Sequence, residues 1–210
     1  MKNQANLDTS PKISCIVLAG GQSTRLRPNK IKEIIGEQTL LERVLSTLSK
    51  FDSDIIIVSS EQASLPDFRN PRTRIINDIY PGKGSLGGIY TGLMASRTHY
   101  NLVVAGDMPF LNIALLQFMV KIAQGYDLVA FNENDRPELL HAVYSKNCLA
   151  PMHDLIRQNS LRIIGILPHI KVRYLTAEEI ARFDPRHLSF FNINTEADLL
   201  KAREIILNKK

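Results

Sequence analysis

The chain has 210 residues, 44% hydrophobic and 22% charged, which suits one globular domain with a sizeable core. Its net charge of +5 is mild, its basic residues form no long run, and it has no Trp and only 7% aromatics. It therefore lacks both the basic stripe of a nucleic-acid binder and a stacking platform for single strands. No apolar run approaches the ~20 residues of a membrane span.

Residues 1–12 are polar, without the apolar stretch of a secretory signal, and read as a flexible tail before a domain at 13–210. Apolar β-branched runs then alternate with helical patterns, as in a parallel sheet covered by helices. Strands are predicted at Ile13–Leu18, Asp54–Ser59, Thr73–Asn77, Asn101–Gly106, Asp127–Phe131, Leu140–Tyr144, Lys171–Leu175 and Phe190–Asn192. The first, second and fourth are almost continuously apolar, as strands buried on both faces are. Leu40, Leu41, Val44, Leu45 and Leu48 share one helical face. Further helices are predicted over Leu86–Arg97, Asn112–Gln124 and Thr195–Asn208, the last opening with a capping box, and a short one follows Thr176. The expected fold is a single-domain, Rossmann-like three-layer α/β sandwich. Its sheet is mostly parallel, with helices on both faces and a small antiparallel excursion among the short strands after residue 127.

The chemistry concentrates where the first strand ends. Gly20 and Gly21 follow Leu18 and Ala19 there, so the backbone can turn sharply and bring N–H groups to a phosphate with no Cβ in the way. Arg25, Arg27, Lys30 and Lys32 come next, with no acid before Glu33. Such cations would neutralise a triphosphate and a departing pyrophosphate. No Walker A spacing is present. Asp107 lies just past the fourth strand, at the strand end where ligands gather in open α/β sheets. A lone carboxylate there suits Mg²⁺, and equally suits a turn that caps the next helix. Asp78 follows the third strand and could serve any surface turn. Gly82, Gly84 and Gly87 formally match a dinucleotide fingerprint, but they follow the wrong strand, and we read them as a glycine loop opening the next helix. Cys15 and Cys148 lie far apart in apolar stretches and read as buried thiols. The five His show no zinc-site spacing, and His141 reads as a strand residue.

Four segments together resemble one family. The stretch from Leu18 to Lys30 resembles the L-A-G-G-x-S-x-R-[ML]-x-x-x-K opening of nucleotidyltransferases with a Rossmann-like core. Gly106–Leu111 resembles a G-D-x-P-F-[LI] metal segment. Pro137–Tyr144 and Asn192–Leu199 resemble P-x-x-L-H-A-[LV]-Y and N-[IV]-N-T-x-x-[DE]-L. The set is most similar to the molybdenum cofactor guanylyltransferases, the MobA-like proteins. The resemblance implies that Leu18, Ala19, Gly20, Gly21, Lys30, Asp78 and Asp107 bind the nucleotide. It implies further that Arg25, Lys30 and Asp107 carry catalysis and that Asp107 holds Mg²⁺. Arg162, Asn192 and Asn194 fall on the acceptor side.

The implied reaction moves GMP from GTP to the phosphate of molybdopterin or Mo-molybdopterin and releases pyrophosphate. Three family positions differ: Arg27 and Asn29 replace Gly and Asp, and Ser60-Glu61 replaces a nucleotide-binding asparagine. Base choice therefore stays open, with CTP as donor or a sugar phosphate as acceptor as alternatives. A NAD-type oxidoreductase and a non-catalytic nucleotide-binding module are the readings from other classes. The expected setting is the cytoplasm, without nucleic acid or membrane, and with transient contacts to molybdenum-cofactor biosynthesis or acceptor proteins.

Overall fold

A computed structural model describes residues 10–19, 30–60 and 70–208. Seven strands form the main sheet: β1 (Ile13–Leu18), β4 (Ile55–Ser59), β5 (Thr73–Asn77), β6 (Tyr100–Ala105), β7 (Leu128–Glu133), β8 (Arg136–Ser145) and β9 (Val172–Leu175). Their order is β5-β4-β1-β6-β8-β7-β9. Every pairing is parallel except those of β8, which runs antiparallel to both β6 and β7. That is the expected excursion. A second, two-stranded sheet pairs β2 (Ile34–Ile35) with β3 (Gln38–Thr39) across Gly36, whose φ of 66° explains the glycine.

Helices cover both faces. On one, α1 (Leu40–Leu48) and α3 (Ile113–Lys121) pack Leu41, Val44, Leu48, Leu115 and Met119 against Cys15, Val17, Leu102 and Val104. On the other, α2 (Gly84–Ala95) and α4 (Leu149–Arg157) pack Leu86, Ile89, Leu93 and Met152 against Ile16, Ile56 and Val103. The helix α2 lies close to β1 because it presents Gly88 and Gly92. A Cβ on Gly92 would overlap the Ile16 side chain, and one on Gly88 would stand 3.3 Å from Leu18 Cδ2. A third, smaller core joins α6 (Glu196–Leu207) to Ile35, Leu40 and Ile193. Helix α5 (Ala177–Ala181) opens at Thr176 and α6 at Thr195, each with the reciprocal capping box that the sequence implies.

One predicted strand is absent. Leu188–Phe190 forms a 3-10 turn, and the chain beyond it belongs to no sheet. The amides that a strand would need are already committed to the turn: Phe190 donates to His187 O at 3.3 Å and Phe191 to Leu188 O at 3.0 Å, and Asp184 holds that turn through the amides of Leu188 and Ser189. The strand β8 begins at Arg136, earlier than its apolar run suggests.

Candidate functional site

Parallel β5, β4, β1 and β6 all end at the same sheet edge, and the residues singled out in the sequence follow those ends. Leu18 and Ala19 are the last described residues of β1 and its exit. Gly20, Gly21 and Arg25 lie outside the described residues, as do Arg27 and Asn29. Ala19 leaves β1 with its amide on Val58 O at 2.9 Å, and Gly106 donates to Leu18 O at 2.9 Å. A Cβ on Gly106 would stand 3.2 Å from Leu18 O and 3.3 Å from Ile31 Cγ2. The backbone carrying Asp107 is therefore pressed against both the start of the glycine turn and the segment that re-emerges at Lys30.

Asp107 is buried, with 9% of its surface exposed. Its Oδ2 pairs with Lys30 Nζ, which also donates to Asn194 Oδ1 at 2.9 Å. Lys30 and Asn194 are separated by 164 positions, and the third core brings them together. Ile193 is fully buried there, and its amide donates to Asp107 O at 3.1 Å. The asparagines Asn192 and Asn194 thus flank a residue held on the Asp107 backbone. Asp107 Oδ1 is buried without a hydrogen-bond partner among the described residues. An unpartnered buried carboxylate oxygen is destabilising unless a cation or donor comes to it. Together with Asn194 Oδ1, it offers the hard oxygen donors that suit a divalent metal bound mainly through phosphates and water. The residues present fit that ion.

Asp78 stands at the end of β5. Its amide donates to Ser59 O at 3.1 Å, while its Oδ1 accepts from Tyr80 N at 2.9 Å and from Thr91 Oγ1 at 2.8 Å. Thr91, on α2, also accepts from Ile79 N at 3.2 Å. The carboxylate thereby fixes the turn that leads into the glycine loop, where Gly82 and Gly84 have φ of 82° and 62°. Arg162 is exposed beyond α4, and its guanidinium makes no hydrogen bond or ion pair with another described residue. Three residues earlier, Asn159 Oδ1 accepts from Lys83 Nζ at 2.6 Å, which ties this turn to the start of α2.

Two features escaped the sequence reading. Glu138 pairs with Phe131 in the β7–β8 ladder, and its carboxyl is raised above the usual range by burial and by the charge of Asp107. It is a second acid at the same edge, hidden because β8 starts in a polar run. Ser189 is the other. Its hydroxyl accepts from Asn112 N at 2.9 Å and sits 3.0 Å from His141 Nε2. It joins the end of the Asp107 segment, the middle of β8 and the segment leading to Asn192 and Asn194. His141 itself is fully buried, and its Nδ1 has no partner. Cys15 and Cys148 are free and buried, their thiols pushed up to about 12 chiefly by burial.

Known proteins share this arrangement of sequence and fold. A family model described as the MobA-like NTP transferase domain matches residues 15–167. A probable molybdenum cofactor guanylyltransferase of Pelotomaculum thermopropionicum is 31% identical over 196 residues, 93% of this chain and 94% of that protein. The molybdenum cofactor guanylyltransferase of Desulfosudis oleivorans is likewise 31% identical, over 92% of this chain and 96% of its own. The crystal structure of molybdopterin-guanine dinucleotide biosynthesis protein A from Archaeoglobus fulgidus covers 93% of this chain and 99% of its own at 30% identity, with a TM-score of 0.80. The carboxylate leaving β6, the glycine pair that follows β1 in sequence and a sequence likeness running through both make this chain a member of the MobA-like NTP transferase family.

Proposed function

We propose that the protein transfers GMP from GTP to the terminal phosphate of molybdopterin or Mo-molybdopterin, giving the guanine dinucleotide form of the molybdenum cofactor and pyrophosphate. The observation that carries this reading is the meeting of Lys30, Asp107 and Asn194 at the exit of β1. The names of the relatives supply the donor and the acceptor.

An oxygen of the acceptor phosphate attacks the α-phosphorus of GTP in line. The bond from that phosphorus to the β-bridging oxygen breaks, and pyrophosphate leaves with the electron pair. The attacking oxygen is already anionic, so no strong base is required, and rate enhancement comes from positioning and charge neutralisation. In this reading Leu18 and Ala19, whose amide is held by Val58 O, set where the run of amides begins, and the amides of Gly20 and Gly21 fix the phosphate chain. Arg25 and Lys30 offset its charge, and Asp78 serves the nucleoside end. Arg162, Asn192 and Asn194 face the acceptor. Asp107 would hold Mg²⁺, which would supply charge neutralisation at the phosphates. Product transfer would involve transient contacts with proteins of cofactor biosynthesis, in a cytoplasm that keeps the free thiols reduced.

The test is pyrophosphate release from GTP and molybdopterin. The parent protein should turn over, and Asp107→Ala should lose at least about a hundredfold in rate while keeping its circular dichroism and cooperative melt. Full activity in that variant would refute the assignment.

A further inference from the structure

We infer that the Lys30 ammonium holds the cation position between Asp107 and Asn194 in the protein alone, so that a divalent metal enters only as the nucleotide's phosphates draw Lys30 away. This rests on the reading of Asp107 as the metal's carboxylate. The geometry is specific. One ammonium engages two hard oxygens of the site, Asp107 Oδ2 and Asn194 Oδ1. A third, Asp107 Oδ1, is buried and has no hydrogen-bond partner among the described residues.

A divalent cation on Oδ1 would sit about 2.1 Å from it, and so roughly 4–5 Å from an ammonium on Oδ2. Two like charges at that separation, in a site where Asp107 is only 9% exposed, repel several times more strongly than they would in water. Both cannot be held well by one carboxylate. Lysine is suited to yield, because its charge rides on a flexible four-carbon stem. Its backbone can stay where it is: Lys30–Lys32 forms a 3-10 turn with Ile31 buried beneath it. A triphosphate at the glycine turn offers the ammonium a larger negative charge than Asp107 does. When Lys30 moves to it, both oxygens of the carboxylate are left open. The protein then binds metal and nucleotide together better than either alone, and the metal-free protein keeps its buried carboxylate neutralised.

The test is Mn²⁺ binding without nucleotide, read from the loss of the free-ion electron paramagnetic resonance signal. Lys30→Met should bind Mn²⁺ at least about tenfold more tightly than the parent. Lys30→Ala serves as a second variant should the first fail to fold. Asp107→Asn in the Lys30→Met background should abolish the gain. If both lysine variants bind Mn²⁺ no better than the parent, while Asp107→Asn weakens binding, the competition is refuted and the metal ligand stands. If Asp107→Asn leaves Mn²⁺ binding unchanged in every background, the metal assignment falls with it.

Discussion

His141 is a histidine whose environment forbids its charge. It is fully buried on β8, its Nε2 faces the Ser189 hydroxyl, and its ring lies 4.6 Å from that of Phe190. Burial lowers its pKa from 6.5 to about 4. Because the folded value lies below the unfolded one, the unfolded chain takes up a proton first. Stability attributable to this residue is whole above about 6.5 and is lost as pH falls toward about 4. A shift of that size corresponds to about 3 kcal/mol, to order of magnitude. Denaturant melts of the parent and of His141→Gln at pH 7.5 and pH 4.5 should therefore converge on the acid side, since only the parent carries the lost increment. Parallel pH profiles for the two proteins would show that the ring is not held neutral by its surroundings. Asp107 and Lys30 belong to the same scale: position after a strand end and downstream of a glycine pair singled them out, but residue type alone left Asp107 equally suited to a turn, and only the resemblance assigned it a metal. Glu138 was not, since its proximity to Asp107 arises from the antiparallel register of β8 rather than from its neighbours in sequence.

Between residues and the whole molecule stands the 184–195 segment, which supplies Asn192 and Asn194. Its apolar pair Phe190-Phe191 reads as strand, yet the structure gives a turn: both Phe amides donate to carbonyls three residues back, and Asp184 holds the turn through the amides of Leu188 and Ser189. A buried acid that collects backbone donors from four and five residues on leaves no trace in hydrophobic periodicity. Ser189 then fastens that turn to two other elements through Asn112 and His141. Asn112 is the cap of α3, the helix that follows the Asp107 segment. The spacing between Asp107 and Asn194, set by the Ile193 amide on Asp107 O and by the third core, is thus braced further by one hydroxyl lying outside the cluster. Removing it strands a buried amide and a buried ring nitrogen, which costs about 1–3 kcal/mol. For a domain of this size that is a fall of roughly 2–12 °C in melting temperature. Ser189→Ala should show that fall and, in the folded population, a loss of turnover from misplacement of the asparagines. An unchanged melt would remove Ser189 from this role. Helices with capping boxes were read to within about two residues, because their start signals are local. The helix α4 and the β2–β3 pair were not foreseen, since their placement is decided by packing against elements far away in sequence.

At the scale of the whole molecule, strand order turns a list of residues into a ruler. Asp78 follows β5 and Asp107 follows β6, and the order β5-β4-β1-β6 puts three strand spacings between them. At about 4.8 Å each, that is roughly 14 Å along the sheet edge. The end of β1 lies one spacing from Asp107 and two from Asp78. In the proposed reading, a nucleoside triphosphate laid along this edge would reach Asp78 with its nucleoside while its phosphates cross the β1 exit toward Asp107 and Lys30. Pyrophosphate alone would be too short to reach Asp78. The parallel order was implied by the alternation of strands and helices, but which strands are neighbours was not, and the ruler depends on that order. Thermal shifts test it directly. At a concentration about 100-fold above its dissociation constant, GTP with Mg²⁺ should stabilise the fold by about 2.7 kcal/mol, or roughly 5–11 °C. At the same concentration, CTP, UTP and ATP should give smaller shifts, which also decides the base. Asp78→Ala lowers the starting melt because Tyr80 N and Thr91 lose their acceptor, so the informative quantity is the shift above each protein's own baseline. That shift should shrink for GTP and stay unchanged for pyrophosphate. Equal losses for the two ligands would mean that Asp78 acts only through the glycine loop it braces, and that the nucleoside lies elsewhere.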